Sequence, residues 1–319
     1  MKILVTCPPM LGMKEQFIPL LEQYGCEVHC PEFTQVMAEE ELIRIMPEFD
    51  GWIIGDDPAT RAVFEAGSKG KLKAAMRWGI GTDNVDFTAC KDSGIPISNT
   101  PDMFGGEVAD VGVGYLIALA RETFFIDREI RKGNWPKNRG ISISGKTVGL
   151  VGYGDIGRSA ATRLVALGMN VIAYDPGKLT IDDNGVTLAS WPESIEACDF
   201  ILFTCSLNAK NKHMLNKDVL DKCKKGLRVI NVARGPLIDE NALCEALRTE
   251  QVHSAALDVF EVEPLPMNSY LREHPLCVFG SHNGSNTSDA VEKTNVVAIE
   301  KLMGYLSLSK KETIKETAQ

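Results

Sequence analysis

Three apolar runs of this chain end on side chains that could combine acid–base chemistry with anion binding. RVINVARG (228–235) stops at Arg234, and SAALDVFEVEP (254–264) runs into Asp258, Glu261 and Glu263. LCVFGSHNG (276–284) delivers His282 into a small polar loop. Of the five histidines, His29 lies inside an apolar run, His253 begins one, and His213 and His274 sit in polar stretches. Only His282 follows directly on a strand-like segment. An imidazole, with its ordinary pKa near 6.5, suits proton transfer at neutral pH. A guanidinium presents a planar fork that can grip a carboxylate with two hydrogen bonds. Arg234 alone could be a solvated strand end. An imidazole, a carboxylate and a guanidinium at three strand ends point instead to a substrate site beyond the carboxyl ends of one sheet.

A second motif supplies a cofactor site. VGLVGYGDIG (148–157) spaces Gly152, Gly154 and Gly157 as G-x-G-x-x-G, after an apolar run and before the helical stretch SAATRLVALG. Asp175 ends the next apolar run. In that context the glycines make a tight turn, admit a pyrophosphate to the backbone and let helix pack on strand. The helix N-terminus offers amides and a positive dipole end. Asp175 would accept from the adenosine ribose hydroxyls and repel a 2′-phosphate, favouring NAD over NADP. Ile156 lies within this loop, and Asp155 occupies its variable slot, where a carboxylate would repel pyrophosphate. Asp155 is therefore expected to cap the helix.

The elements that must hold these groups are legible as short apolar runs alternating with amphipathic stretches. KILVT (2–6), CEVHC (26–30), GWIIG (51–55) and KAAMR (73–77) form one series of expected strands. TVGLVG (147–152), NVIAYD (170–175), FILFT (200–204), RVINVA (228–233), SAALDVF (254–260) and LCVFGS (276–281) form another. The rhythm predicts an α/β protein with two doubly wound parallel-sheet units. Between them one long helical segment is expected over 105–132, apolar on nearly every face in VGVGYLIALA (111–120), as for a helix wedged between domains or subunits. A last helix from about 288 leads into a charged tail expected to fray.

Composition narrows the function classes. The net charge of -9 gives no footprint for nucleic acid. Nine cysteines without a Cys-x-x-Cys pair read as free thiols in a reducing compartment, and no metal site is expected. The N-terminal apolar run is too short for a signal peptide and no run is long enough to span a membrane, so a cytoplasmic protein is expected.

The chain resembles the D-isomer-specific 2-hydroxyacid dehydrogenases over nearly its whole length. RWGIGTDNVD (77–86), NTP (99–101), VGLVGYGDIG, NVARGPLIDENAL (231–243), ALDVFEVEPLP (256–266) and SHNG (281–284) carry the resemblance in order. It implies a flavodoxin-like substrate-binding domain over 1–98 and 289–319, flanking a Rossmann NAD-binding domain over 99–288. It also implies a homodimer built partly on the long apolar helix. Arg234 would bind the 2-oxo-acid carboxylate and polarise the carbonyl. His282 would exchange the proton, oriented by Glu263, while Glu261 reads as a solvated loop charge. Asp258 would bind the nicotinamide carboxamide, and Ala233 would join the cofactor contacts. The loop Gly79-Ile80-Gly81 reads either as a tight turn or as an amide nest for an anion, and the resemblance favours the nest.

Within the family the resemblance is nearest to the phosphoglycerate dehydrogenase branch, through Arg77 and the NTPD stretch. That implies 3-phosphoglycerate and 3-phosphohydroxypyruvate as substrates, with Arg77 holding the phosphate or else standing as a strand-end arginine. Glyoxylate or hydroxypyruvate reduction is the alternative. A further alternative is a corepressor-like NAD sensor with negligible turnover. Three departures stand out: Ser281 before His282 where Pro is common, Asp155 where Arg is common, and LFTCSLNAKN (202–211) in place of the usual Pro-Leu-Thr-Pro.

Overall fold

The computed structural model describes residues 1–310; residues 311–319 of the charged tail, expected to fray, lie outside the described residues. The chain divides into two compact units, Met1–Met103 with the segment from Asn286 onward, and Phe104–Ser285.

The first unit runs β1 (Lys2–Val5), α1 (Pro8–Leu11), α2 (Lys14–Glu22), β2 (Glu27–His29), α3 (Glu39–Ile45), β3 (Gly51–Ile54), α4 (Arg61–Ser68), β4 (Ala74–Arg77), α5 (Phe87–Asp92) and β5 (Ile97–Asn99). The strands pair in parallel in the order β2-β1-β3-β4-β5, the flavodoxin-like order. Every residue of β3 and β4 is buried, so both faces of the sheet centre are covered. This is why GWII and AAMR read as uninterrupted apolar runs, apart from Arg77. Trp52 and Phe64 anchor one core cluster, with ring centroids 5.9 Å apart. The sequence reading did not identify β5, an edge strand of three half-buried residues with too little apolar signal.

The second unit runs α6 (Gly105–Arg121), α7 (Thr123–Arg131), β6 (Thr147–Val151), α8 (Asp155–Ala166), β7 (Asn170–Tyr174), β8 (Val186–Ala189), β9 (Phe200–Phe203), α9 (Lys217–Leu220), β10 (Leu227–Asn231), α10 (Glu240–Arg248), β11 (Val252–Leu257) and β12 (Val278–Phe279). The chain then returns to the first unit as α11 (Ser288–Tyr305). The sheet is parallel throughout, ordered β12-β11-β10-β9-β6-β7-β8. This is the doubly wound Rossmann order extended by one strand, with its switch point between β6 and β9. All residues of β9 and β10 are buried. The sequence reading also missed β8, a half-exposed edge. The expected run 276–281 shrinks to the two residues of β12.

The single long helix expected over 105–132 is two helices. Glu122 breaks it in the left-handed region at φ 54°, where its amide still reaches the Ala118 carbonyl. Within its own unit, α6 buries Val108, Ala109, Gly112, Val113, Leu116 and Leu119, packing on α8, β10 and β11. No residue of α7 is buried.

Candidate active site

The glycine loop joins β6 to α8, and its three glycines meet three different demands. Gly152 sits at φ +99°, and a Cβ there would lie 2.7 Å from the Cys205 backbone. A Cβ on Gly157 would lie 2.2 Å from the Gly152 carbonyl oxygen, so helix and turn can close only without a side chain. A Cβ on Gly154 would meet nothing within 4 Å. The chain itself does not need that glycine, but a pyrophosphate approaching the backbone would. The residues therefore fit a dinucleotide: an open cradle over Gly154 and the amide-bearing N-terminus of the twelve-residue α8.

Asp175, just past β7, is held in place by two backbone amides. Its Oδ2 accepts the Tyr153 amide at 2.7 Å and its Oδ1 accepts the Gly177 amide at 2.8 Å. Each carboxylate oxygen keeps further acceptor capacity. Tyr153, which the sequence reading passed over, ties the loop a second time by donating its hydroxyl to Asp183 at 2.5 Å.

Asp155 does not cap α8. The N-cap is Gly154, with no side-chain cap, and Asp155 is the first helical residue. Its Oδ2 is buried without a hydrogen-bond partner. The carboxylate lies over Gly105, where a Cβ would come within 2.3 Å of Oδ2. Starting one residue earlier than expected turns this side chain toward the beginning of α6, away from the amides it was expected to cap.

At the carboxyl ends of β10, β11 and β12 the structure brings the acid–base candidates together. His282 Nδ1 lies 2.8 Å from Glu263 Oε2, both side chains 22% exposed. A carboxylate accepts, so Nδ1 carries the proton in this contact. Glu263 Oε1 accepts the Phe260 amide at 2.9 Å, which fixes the carboxylate from behind. His282 itself is left-handed, at φ 56°, and its amide donates to the Asp258 carbonyl at 2.7 Å. Asp258, only 3% exposed, accepts the Gly284 amide at 2.8 Å and the Asn283 amide at 3.2 Å. The carboxylate expected at the nicotinamide thus also shapes the loop that carries His282. Burial, then the Asp258 charge, pushes the Tyr115 hydroxyl up to about 12.

Arg234 leaves β10 on extended backbone, and its Nη1 donates to the Ala233 carbonyl at 2.8 Å. Asn231, 1% exposed at the strand end, braces this turn. Its Nδ2 donates to the Arg234 carbonyl and its Oδ1 accepts the Ala233 amide. A Cβ on Gly235 would lie 1.9 Å from the Phe260 carbonyl group, so the Arg234 turn and the Glu263 loop touch backbone to backbone. Asn231 and Gly235 were not among the sequence candidates. A polar residue closing an apolar strand, and a glycine after the arginine, were the available signals. Glu261 is exposed, as expected of a loop charge, but it has partners: its Oε1 accepts the Glu240 amide at 3.0 Å and stands 2.9 Å from His213 Nε2.

The candidates of the first unit follow β4. Arg77 is 4% exposed, and its guanidinium is engaged by the chain. Nη2 pairs with Asp56 at 2.7 Å, Nε donates to Asn84 at 3.2 Å, and Nη1 donates to the Trp78 carbonyl. A group so committed holds its own loops together, and its burial sets it apart from the exposed strand-end arginine that was one of the two expectations. Gly79 has φ +111°, and its amide donates to Thr100 Oγ1 at 2.7 Å. The nest is thereby reduced to the amides of Ile80 and Gly81. Among the described residues, no group of three or more His, Cys, Asp or Glu side chains could hold a metal, and no helix is long and apolar enough to cross a membrane.

Residues 113–284 match the family model described as D-isomer specific 2-hydroxyacid dehydrogenase, NAD binding domain. The chain is 36% identical over 310 residues to D-3-phosphoglycerate dehydrogenase 2, chloroplastic, of Arabidopsis thaliana, covering 96% of this chain and 48% of that protein. It is 34% identical over 281 residues to hydroxypyruvate reductase of Thermotoga maritima, covering 86% of this chain and 90% of that one. The chain therefore spans about half the length of its plant relative and most of its bacterial one. A solved glyoxylate reductase from Paecilomyes thermophila superposes with a TM-score of 0.81 at 27% identity, covering 99% of each chain. With the glycine loop, the Asp175 acceptor and the matched domain in agreement, the second unit is an NAD-binding domain, and the chain belongs to the D-isomer-specific 2-hydroxyacid dehydrogenase family.

Proposed function

We propose that the protein is an NAD-dependent oxidoreductase acting on a D-2-hydroxy acid and its 2-oxo partner. The observation that carries this reading is the Glu263–His282 pair, 2.8 Å apart, on the sheet that also presents Arg234 and the dinucleotide loop. Bound NAD supplies the hydride acceptor, or as NADH the donor. Arg234 grips the substrate carboxylate and draws electron density from the carbonyl. His282, protonated, delivers the Nε2 proton to the carbonyl oxygen in reduction and removes it from the hydroxyl in oxidation. Glu263 keeps the Nδ1–H fixed and supports the imidazolium through its charge. Asp258 holds the His282 loop and, with Ala233, would be among the residues that hold the cofactor, where its carboxylate could accept from the carboxamide. In the first unit the Ile80 and Gly81 amides are the candidate receptor for an anionic group. A homodimer, implied by the family, and a cytoplasmic setting, consistent with nine unbridged cysteines, complete the proposal.

For the substrate we place 3-phosphohydroxypyruvate and 3-phosphoglycerate first, because the plant relative covering 96% of this chain is a phosphoglycerate dehydrogenase by name. Hydroxypyruvate is the second reading, favoured by the commitment of Arg77 to Asp56, Asn84 and Trp78. The deciding experiment follows NADH consumption with 3-phosphohydroxypyruvate, hydroxypyruvate, glyoxylate and pyruvate. A lead of about tenfold or more in kcat/KM for one acid, some 1.4 kcal/mol of transition-state discrimination, names the substrate. Tight NADH binding with no turnover of any would overturn the reading.

A further inference from the structure

The loop that carries Glu263 is fastened at a second point. Glu261 Oε1 accepts the Glu240 amide at 3.0 Å, and the Glu261 amide donates back to Glu240 Oε2 at 3.3 Å. This reciprocal pair joins the loop after β11 to the first residue of α10, whose N-cap is Asp239. His213 Nε2 approaches from a third segment, 2.9 Å from Glu261 Oε1 but without the geometry of a hydrogen bond. His213 is itself left-handed, at φ 53°, and its amide donates to the Pro236 carbonyl at 2.7 Å. Burial, and the neighbouring Glu261 charge, hold the Glu240 carboxyl above the usual range against the lowering effect of the Glu261 amide. A carboxylate that is half-buried beside another carboxylate is costly unless it orders something.

What it orders is two residues away along the chain. The Phe260 amide holds Glu263 Oε1, and the Phe260–Glu261 peptide lies against Gly235, next to Arg234. If the Glu261–Glu240 bond opens, that peptide is released, and the carboxylate facing His282 loses its backing. We propose that Glu261 is a positioning residue for the Glu263–His282 pair, acting through its reciprocal bond with Glu240 and its contact with His213. This deepens the dehydrogenase reading and rests on it for its catalytic consequence. The geometry of the pair does not depend on which acid is turned over.

The test reads both. In the full-length protein the His282 Nδ1 proton bonded to Glu263 gives a low-field proton resonance in water, assigned by its loss in His282→Gln. Glu261→Ala should broaden that resonance beyond detection, while NADH affinity stays within about twofold. Its kcat/KM should fall about tenfold, the scale of a small displacement of a catalytic group. Glu261→Gln, whose amide oxygen can still accept from the Glu240 amide, should restore the resonance and most of the activity. An unchanged resonance in folded Glu261→Ala would overturn the proposal. Should Glu261→Ala fail to fold, Glu240→Ala removes the other half of the bond and carries the same expectation and the same overturning result. A resonance that behaves as stated in a protein that turns over none of the acids would sink the dehydrogenase reading and leave the positioning role standing.

Discussion

His282 holds its Nδ1 2.8 Å from Glu263 Oε2 while its own backbone sits in the left-handed region, at φ 56°. A non-glycine residue there is strained by roughly 1–3 kcal/mol. The Asp258 carbonyl and carboxylate hold the turn in place through the amides of His282, Asn283 and Gly284. The strain aims the imidazole at a carboxylate from another segment of the chain.

Removing the imidazole should therefore separate chemistry from binding. His282→Ala is expected to lower kcat by about 10³-fold or more, and Glu263→Gln by about 10²-fold. NADH affinity should be nearly unchanged in both. Steady-state kinetics with fluorescence titration of NADH checks this, and retained turnover in His282→Ala would remove the assignment.

Two glycines of this unit should fail in opposite ways. Gly235→Ala places a Cβ 1.9 Å from the Phe260 carbonyl group, so a loss of about 1–3 kcal/mol in stability and of most activity is expected. Gly154→Ala meets no atom of the chain. It should leave the melting temperature nearly unchanged and weaken NADH binding about tenfold or more. Equal effects of the two on NADH binding and on stability would contradict the cradle.

Asp175→Ala should relax the preference for NADH over NADPH, measured as the ratio of kcat/KM values. It should also destabilise the fold by about 1–3 kcal/mol, because the Tyr153 and Gly177 amides lose their acceptor. Unchanged cofactor discrimination would mean that Asp175 only braces the turn.

Asp155 carries a buried oxygen without a partner in the glycine loop proposed to receive the cofactor phosphates. Asp155→Ser should raise the melting temperature and tighten NADH binding, each through relief of about 1 kcal/mol or more. Weaker binding in calorimetry would show that the carboxylate serves the cofactor after all.

Acid should weaken the fold through His253. Burial first, then the Arg228 charge, holds its pKa below the ordinary 6.5, against the opposing Glu122 charge. Above pH 6.5 both folded and unfolded states are neutral at this residue and it adds no pH dependence. Below 6.5 the unfolded chain takes up the proton first, so stability falls with pH until the folded site also protonates. His274, depressed by burial, acts in the same direction. Urea unfolding at pH 7.5 and pH 5.5 should show a smaller loss in His253→Gln than in the parent; an identical loss would exclude His253 as a source.

The strand series was legible because both sheets are parallel and covered, so β3, β6, β9 and β10 read as continuous apolar runs. The edge strands β5 and β8 were not, since half-exposed strands of three and four residues carry little apolar signal. The break at Glu122 was hidden for another reason: the apolar pattern continues while only the sign of one φ changes. Asp155 was misjudged because a cap depends on where the helix starts, and a shift of one residue reverses what its side chain faces.

Residue type and spacing along the chain were enough to define the two-sheet α/β class, the G-x-G-x-x-G turn with its acidic acceptor, and the arginine, glutamate and histidine at three strand ends. Each of these is a local pattern with its own period or motif. The partners of Arg77, the role of Glu261 and the need for Gly235 came only with the folded chain. All three depend on which atoms, distant in sequence, end within a few ångströms of one another. Asp56 lies 21 positions from Arg77, and Glu240 lies 21 from Glu261. Contacts of that kind are set by how the loops beyond the strands pack, which no local periodicity encodes.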